Sequence, residues 1–289
     1  MKLQDKVVLI TGGGSGAGAG IAAVCAREGA EVVVTGRTEE KLKTVCEQVG
    51  SRCAYFVADV VDRQATSQLV QWTIEKYNKI DILVNNAGVN VAERKLEEMS
   101  LENWDLVLNT NATGAYNLVH SVLPHMRARS QGHIVSICST AGTYASPIAG
   151  MAYSASKHAM AVMTKFIDYE EAADGIKAST ISPGEINTPI LDTRPVKVSD
   201  EHKARILQPE DIGEAVLYVA SQPPNVCVTE MVLKPRGQGL NTHSHKLDSS
   251  HHPPVLRRHY TEYGARKLSQ RIQINLEIKN TLGNDLKTI

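Results

Sequence analysis

"VVLITGGGSGAGAG" at residues 7–20 runs straight into "IAAVCAREGA" at 21–30. A β-branched, aliphatic run that enters glycines and leaves as an apolar helical pattern reads as a strand, a tight turn and a helix. Glycine at Gly12, Gly16 and Gly18 lets the backbone turn sharply and come close to whatever lies over the helix start. Amide groups at a helix N-terminus favour an anion, so a pyrophosphate is the natural guest. A plain strand-to-helix turn is the alternative, because a loose glycine pattern is weak evidence by itself.

Working outward, the same kind of apolar run recurs as "VVV" (32–34), "AYFV" (54–57), "ILV" (82–84), "HIVSI" (133–137), "ASTIS" (178–182) and "VTEMVL" (228–233), with stretches of helical length between. Near-continuous apolar strands alternating with helices describe βαβ units around a parallel sheet buried on both faces. The expectation is one doubly wound α/β domain over residues 1–240, a seven-stranded parallel sheet with helices on both faces. With 289 residues, 42% hydrophobic content and a formal net charge of zero, the chain is long enough for such a core. No apolar run approaches the roughly 20 residues of a membrane span, so neither a membrane segment nor secretion is expected. Five scattered cysteines without Cys-x-x-Cys spacing argue against a disulfide scaffold or a zinc site and for a reducing, cytoplasmic setting.

Residues 241–289 differ in composition, with eight Lys or Arg against four Asp or Glu and five histidines. This stretch reads as a polar, His-rich, poorly ordered tail, with one short helix allowed in "KLSQRIQINLEI". The histidines lack a carboxylate or cysteine partner or a folded frame, so no metal is expected there.

Two further spots carry chemistry. In "AYSASKHAM" (152–160), Tyr153 and Lys157 stand one helical turn apart on one face. An ammonium beside a phenol favours phenolate and pulls the tyrosine down from its usual value of about 10, toward use as acid and base. Tyr263 and Lys267 repeat the spacing in the tail, without a strand or glycine turn before them, and are read as coincidence. At the end of the second strand, "VVVTGRTEE" places Gly36 and Arg37 where an NAD-selecting dinucleotide fold commonly carries an acid. An arginine there suits a 2′-phosphate, or is an ordinary solvated surface residue.

Taken together, residues 5–235 resemble the short-chain dehydrogenase/reductase family. "TGGGSGAG" (11–18) matches the family's cofactor loop, "ADV" (58–60) its adenine contact and "NNAG" (85–88) its segment steadying the central sheet. "NTNATG" (109–114), "SICS" (136–139) and "YSASK" (153–157) match its catalytic segments, and "SPGEINT" (182–188) the loop over the nicotinamide. The resemblance implies a catalytic set of Asn111, Ser139, Tyr153 and Lys157. It implies NADP(H) contacts from Gly12, Ser15, Gly16, Ala17, Gly18, Arg37, Asp59, Val60, Asn86, Ala87, Gly88, Tyr153, Lys157, Pro183, Gly184, Ile186 and Thr188. Ser139 would polarise a substrate oxygen and Tyr153 would exchange a proton with it. Lys157 would lower the tyrosine's pKa and bond the nicotinamide ribose, while Asn111 would hold a water that links Lys157 to solvent. Asp59 is alternatively a simple cap, and Asn111 a polar residue that bends its helix.

The chain departs from the family pattern at Ala17 and Ala19, at Ser15 where some relatives place a base, and in its last strand, "VCVTEMVLKPRGQG". The expected activity is NADP(H)-dependent interconversion of a carbonyl and a secondary alcohol. A non-enzymatic NADPH-binding or sensing protein of the same fold is the alternative. A homodimer or homotetramer is expected, through helices at 104–129 and 152–174, and no nucleic-acid partner. The substrate pocket is expected from "TAGTYASPIAGM" (140–151), "NVAERKLEEM" (90–99) and "PILDTRPVKV" (189–198), with Tyr144, Met151 and Ile190 as apolar wall and Arg94 and Arg194 as anion partners. A 3-hydroxy acid, a small polar ketone and a steroid all remain open.

Overall fold

The computed structural model describes residues 1–236. The expected tail at 241–289, its helix and its second Tyr-Lys pair lie outside the described residues. Seven strands alternate with helices: β1 Val7–Thr11, α1 Gly16–Arg27, β2 Glu31–Gly36, α2 Glu39–Val49, β3 Cys53–Val57, α3 Arg63–Tyr77, β4 Ile82–Asn85, α4 Leu101–Leu108, α5 Gly114–Ala128, β5 Gly132–Ile137, α6 Met151–Glu171, β6 Ile176–Pro183, α7 Asp200–Lys203, α8 Pro209–Ala220 and β7 Glu230–Leu233. The sheet order is β3-β2-β1-β4-β5-β6-β7, parallel throughout. The chain thus has the doubly wound parallel sheet that its apolar runs call for.

Each central strand feeds both faces of the sheet, which is why its sequence is apolar without alternation. Val8, Ile10, Val32, Val34, Val84 and Val135 pack with α1 and α8, whereas Leu9, Val33, Leu83 and Ile134 pack under α3 and α5. At the opposite end from the glycine turn, Asp81 ties strands together. Its carboxylate accepts from the Val7 backbone N–H at 2.9 Å and from Arg129 at 3.0 Å, with Lys79 at 3.2 Å, and its backbone carbonyl accepts from His133 N–H.

Two features differ from the sequence-based expectation. The helix expected at 104–129 is broken into α4, a π-helical turn at Asn109–Thr113 and α5. Cys46 on α2 and Cys53 at the start of β3, with Cα atoms 5.0 Å apart, are joined as a disulfide, leaving Cys25, Cys138 and Cys227 free. Antiparallel return from α2 into the neighbouring strand brings these two cysteines together, which their spacing alone does not announce. Among the described residues no helix is long and apolar enough to cross a membrane, and no group of three His, Cys, Asp or Glu side chains is gathered as for a metal.

Candidate active site

The strand order reverses between β1 and β4, and ligands in open α/β sheets settle outside the carboxyl ends of the strands at that point. Six of the segments singled out in the sequence follow a strand at that end. The glycine turn follows β1, Arg37 follows β2, Asp59 and Val60 follow β3, Asn86 to Gly88 follow β4, Ser139 follows β5, and Gly184 to Thr188 follow β6.

In the glycine turn, Gly12 has φ +63°, and a Cβ there would lie 2.8 Å from Ala87 Cα. A Cβ on Gly18 would fall 2.3 Å from the Gly12 carbonyl oxygen, so these two positions admit no side chain. Asn86 holds the turn from below: its Nδ2 donates to the Thr11 and Gly12 carbonyls at 2.8 and 3.2 Å. The backbone N–H groups of Asn86 and Ala87 both donate to Thr11 Oγ1. Thr188, at the end of the loop after β6, closes over the turn with its Cγ2 3.0 Å from where a Gly16 Cβ would stand. Ser15 opens α1 without a side-chain cap, next to Ala17, and the first turn carries no acid. The exposed amide end of α1 and the Cβ-free cradle fit a dinucleotide pyrophosphate.

At the adenine side the expectations are placed but partly occupied. Asp59 accepts from Val61 N–H at 3.0 Å, and the Val60 carbonyl accepts from Asn117 Nδ2 at 3.0 Å. Gly36 sits at the mouth beside exposed Arg37. Lys41 was not singled out by sequence: its Cβ lies 3.2 Å from a Gly14 Cβ position, four residues beyond Arg37 in the first turn of α2. Its place as a cation in the first turn of the helix after "TGRT" was the signal that could have found it. Beyond β6, Gly184 N–H donates to the Leu233 carbonyl at 2.7 Å and Ile186 bridges to Leu207, so β7 and the 207 segment fix the loop that Pro183 begins.

The four expected catalytic residues converge. The π turn carries Asn111 inward, fully buried, and such turns recur at functional sites. Asn111 Nδ2 donates to the Val89 carbonyl at 3.0 Å and to Ser156 Oγ at 2.9 Å, and its Oδ1 accepts from Val89 N–H at 2.7 Å. Gly88 faces both Asn111 Oδ1 and Lys157 Nζ, 3.4 and 3.5 Å from its Cβ position. Ser139 is extended at the end of β5, accepts from Ala141 N–H, and acts on the Tyr153 phenol by pulling its pKa down.

The electrostatics of the pair differ from expectation. Lys157 lies beside the Tyr153 ring, 5.7 Å from its centroid, but donates to the Ile137 carbonyl at 2.8 Å. Burial pushes the phenol up to about 12, with Ser139 and then Arg94 pulling the other way. Burial likewise pulls the Lys157 ammonium below its ordinary value. The expected lowering of Tyr153 by Lys157 is therefore corrected: desolvation outweighs it here, and the cation acting on the phenol is Arg94.

Arg94 reaches the site from the loop between β4 and α4. Its Nη2 donates to the carbonyl and the hydroxyl of Thr193, both at 3.2 Å, on the 3-10 turn Pro189–Thr193. The next residue, Arg194, pairs with Glu185 at 3.4 Å.

The sequence profile of the family described as short chain dehydrogenase matches residues 6–198. An uncharacterized oxidoreductase of Staphylococcus saprophyticus is 36% identical over 81% of this chain and 99% of its own length. A metagenomic short-chain oxidoreductase solved in complex with NADP superimposes with a TM-score of 0.70 at 28% identity, over 81% of this chain and 99% of that one. A 3-ketoacyl-(acyl-carrier-protein) reductase from Brucella melitensis, complexed with NADH, gives 0.75 at 27% identity over 80% and 98%.

Proposed function

The chain belongs to the short chain dehydrogenase family of oxidoreductases, and from that premise we propose that it interconverts a carbonyl and a secondary alcohol with NADP(H), Tyr153 acting as general acid and base. The observation that carries this reading is the convergence of Ser139, Tyr153, Lys157 and Asn111 beside the glycine turn. We assign the whole activity to residues 1–240.

The cofactor would lie across Gly12, Ser15, Gly16, Ala17 and Gly18, with Asp59 and Val60 at its adenine, Asn86, Ala87 and Gly88 along its middle, and Pro183, Gly184, Ile186 and Thr188 over its nicotinamide end. When bound, it supplies hydride to a carbonyl carbon or takes it from an alcohol carbon. Ser139 Oγ donates to the substrate oxygen. In reduction the neutral Tyr153 phenol gives its proton to that oxygen, and in oxidation the phenolate takes it back. Lys157, held on the Ile137 carbonyl, would bond the nicotinamide ribose and so set the cofactor beside the Tyr153 ring. Asn111 acts as a positioning residue: by clamping Val89 and Ser156 it fixes the loop after β4 against α6, and the second lone pair of Oδ1 is left for the water relay.

NADP(H) rather than NAD(H) is proposed on the cation at Arg37, the absence of an acid at Gly36, and Lys41 beside Gly14. The NADP in one similar structure supports this, and the NADH in the other makes it the point to test. A cytoplasmic homodimer or homotetramer is proposed, the assembly resting on an apolar stripe on α6; the Cys46–Cys53 disulfide counts against the reducing setting that the cysteine pattern implied. The test is consumption of NADPH and of NADH against a ketone panel by the purified protein. Ketone-dependent consumption with NADPH preferred supports the reading; tight NADPH binding with no turnover of any ketone leaves a nucleotide sensor instead.

A further inference from the structure

Arg94 is built into the reaction chamber with its charge only partly answered. Its stem packs under Gly150, which opens α6 three residues before Tyr153; a Cβ on Gly150 would lie 3.0 Å from Arg94 Cδ. Nη2 is taken by Thr193, but Nε and Nη1 are shut off from solvent and have no hydrogen-bond partner among the described residues. A guanidinium carries one N–H on Nε and two on Nη1, so three donors stand buried and unused. Buried charged donors are costly to leave unpaired, and native structures seldom keep them without a partner.

The neighbouring carboxylates do not supply partners for these donors. Glu93, adjacent in sequence, is engaged by Asn103 at 3.1 Å, and Glu185 is shared between Arg194 and His202. Burial and then the nearby Arg194 pull the Arg94 guanidinium below its ordinary value, with Tyr153 and Glu93 acting the other way, so two arginines and two carboxylates meet in this corner. Val91, Ala152, Met99 and Trp104 form an apolar cluster with Tyr153, and a few polar groups beside an apolar wall orient a small molecule.

We propose that Arg94 is the specificity residue of this site and that the substrate is a small carbonyl or hydroxy compound bearing a carboxylate, which the free Nε and Nη1 donors bind while its carbonyl or hydroxyl group meets Ser139 and Tyr153. A planar guanidinium suits a carboxylate through charge-assisted hydrogen bonds. The corresponding neutral ester leaves those donors buried and unanswered, and sites with buried polar groups reject such analogues. The 3-10 turn that carries Thr193 holds Arg94 in place.

This inference rests on the carbonyl–alcohol reading, and the test separates the two. The probes are 3-oxobutanoate and 4-oxopentanoate, each against its methyl ester, with wild type, Arg94→Met and Arg94→Lys checked for fold by circular dichroism. The expected result is an acid-over-ester preference in kcat/KM of about tenfold to a hundredfold in the wild type, lost in Arg94→Met and partly kept in Arg94→Lys. Reduction of acids and esters at equal efficiency would overturn the carboxylate site while leaving the carbonyl reading intact, as would a preference unchanged in Arg94→Met. If no compound is turned over, calorimetric titration of 3-hydroxybutanoate and its methyl ester decides. Binding of the acid alone, weakened in Arg94→Lys, sustains the site, and equal or absent binding of the two overturns it. Should Arg94→Met fail to fold, the wild-type ratio and Arg94→Lys carry the same decision.

Discussion

The Lys157 ammonium lies 5.7 Å from the centroid of the Tyr153 ring and donates to the Ile137 carbonyl, so the pair is one helical turn apart while the lysine is held by β5. Desolvation then governs the phenol, which stands at about 12 despite the lysine beside it. A phenol so placed is neutral across the physiological range and is poised to give a proton rather than take one.

That sign sets a pH dependence. Carbonyl reduction needs the protonated phenol, which is fully present below its pKa, so kcat/KM for the carbonyl should stay flat between about pH 6 and about pH 9. Alcohol oxidation needs phenolate and should climb by about tenfold per pH unit over the same interval. Profiles in both directions check this, and a reduction rate that falls through a break near neutrality would show a phenol titrating far lower.

Asp81 offers a stability test remote from the chemistry. Burial raises its carboxyl, but the Val7 N–H, Arg129 and Lys79 outweigh that and hold it below its ordinary value. A depressed folded-state value means the contribution is complete above the unfolded value of about 3.9 and fades as pH falls through the folded one. Asp81→Ala should cost about 3 to 5 kcal/mol at neutral pH, since it strands a buried N–H and two cations. The gap in urea stability should hold from about pH 8 to about pH 5 and narrow below it.

Self-association should use α6. Val162, Phe166 and Tyr169 recur at helical spacing and are 53%, 58% and 85% exposed, a solvent-facing apolar stripe on the helix that carries Tyr153. Light scattering should give a dimer or tetramer for the wild type and a smaller species for Phe166→Glu. A monomeric wild type at micromolar concentration ends the proposal.

Cofactor choice should turn on Arg37. Loss of one charge-assisted contact to a 2′-phosphate is worth about 1.5 to 3 kcal/mol, so Arg37→Ala should weaken NADPH about tenfold to a hundredfold and barely change NADH. Gly36 has room for a side chain, since its Cβ position lies 3.6 Å from Leu42 Cδ2. Gly36→Asp with Arg37→Ala should therefore fold and favour NADH. An unchanged NADPH constant in Arg37→Ala would place the arginine in solvent.

The strands were legible because a sheet buried on both faces leaves no polar alternation: Val8 and Leu9 point to opposite cores and both must be apolar. The catalytic segments were legible because their residue types are tied to strand ends and to one helical turn. The π turn at Asn111 was not, since one extra residue in a helix leaves no compositional mark. Nor was the union of Cys46 with Cys53, which depends on how α2 returns to β3. Arg94 was only a candidate among charges in "NVAERKLEEM" (90–99); its burial comes from Gly150 and Thr193, far away in sequence. The direction of the Tyr153 shift was misjudged because spacing reports a neighbour's charge but not the solvent lost around it.

The most direct measurement sets wild type against Tyr153→Phe in NADPH-dependent ketone reduction, with NADPH affinity measured on both. Tyr153→Phe deletes the proton donor and little else, so turnover should fall by about two to four orders of magnitude while the NADPH dissociation constant stays within about threefold. Retention of even a tenth or so of the wild-type rate would mean that the proton comes from elsewhere, and the assignment of Tyr153 would be wrong.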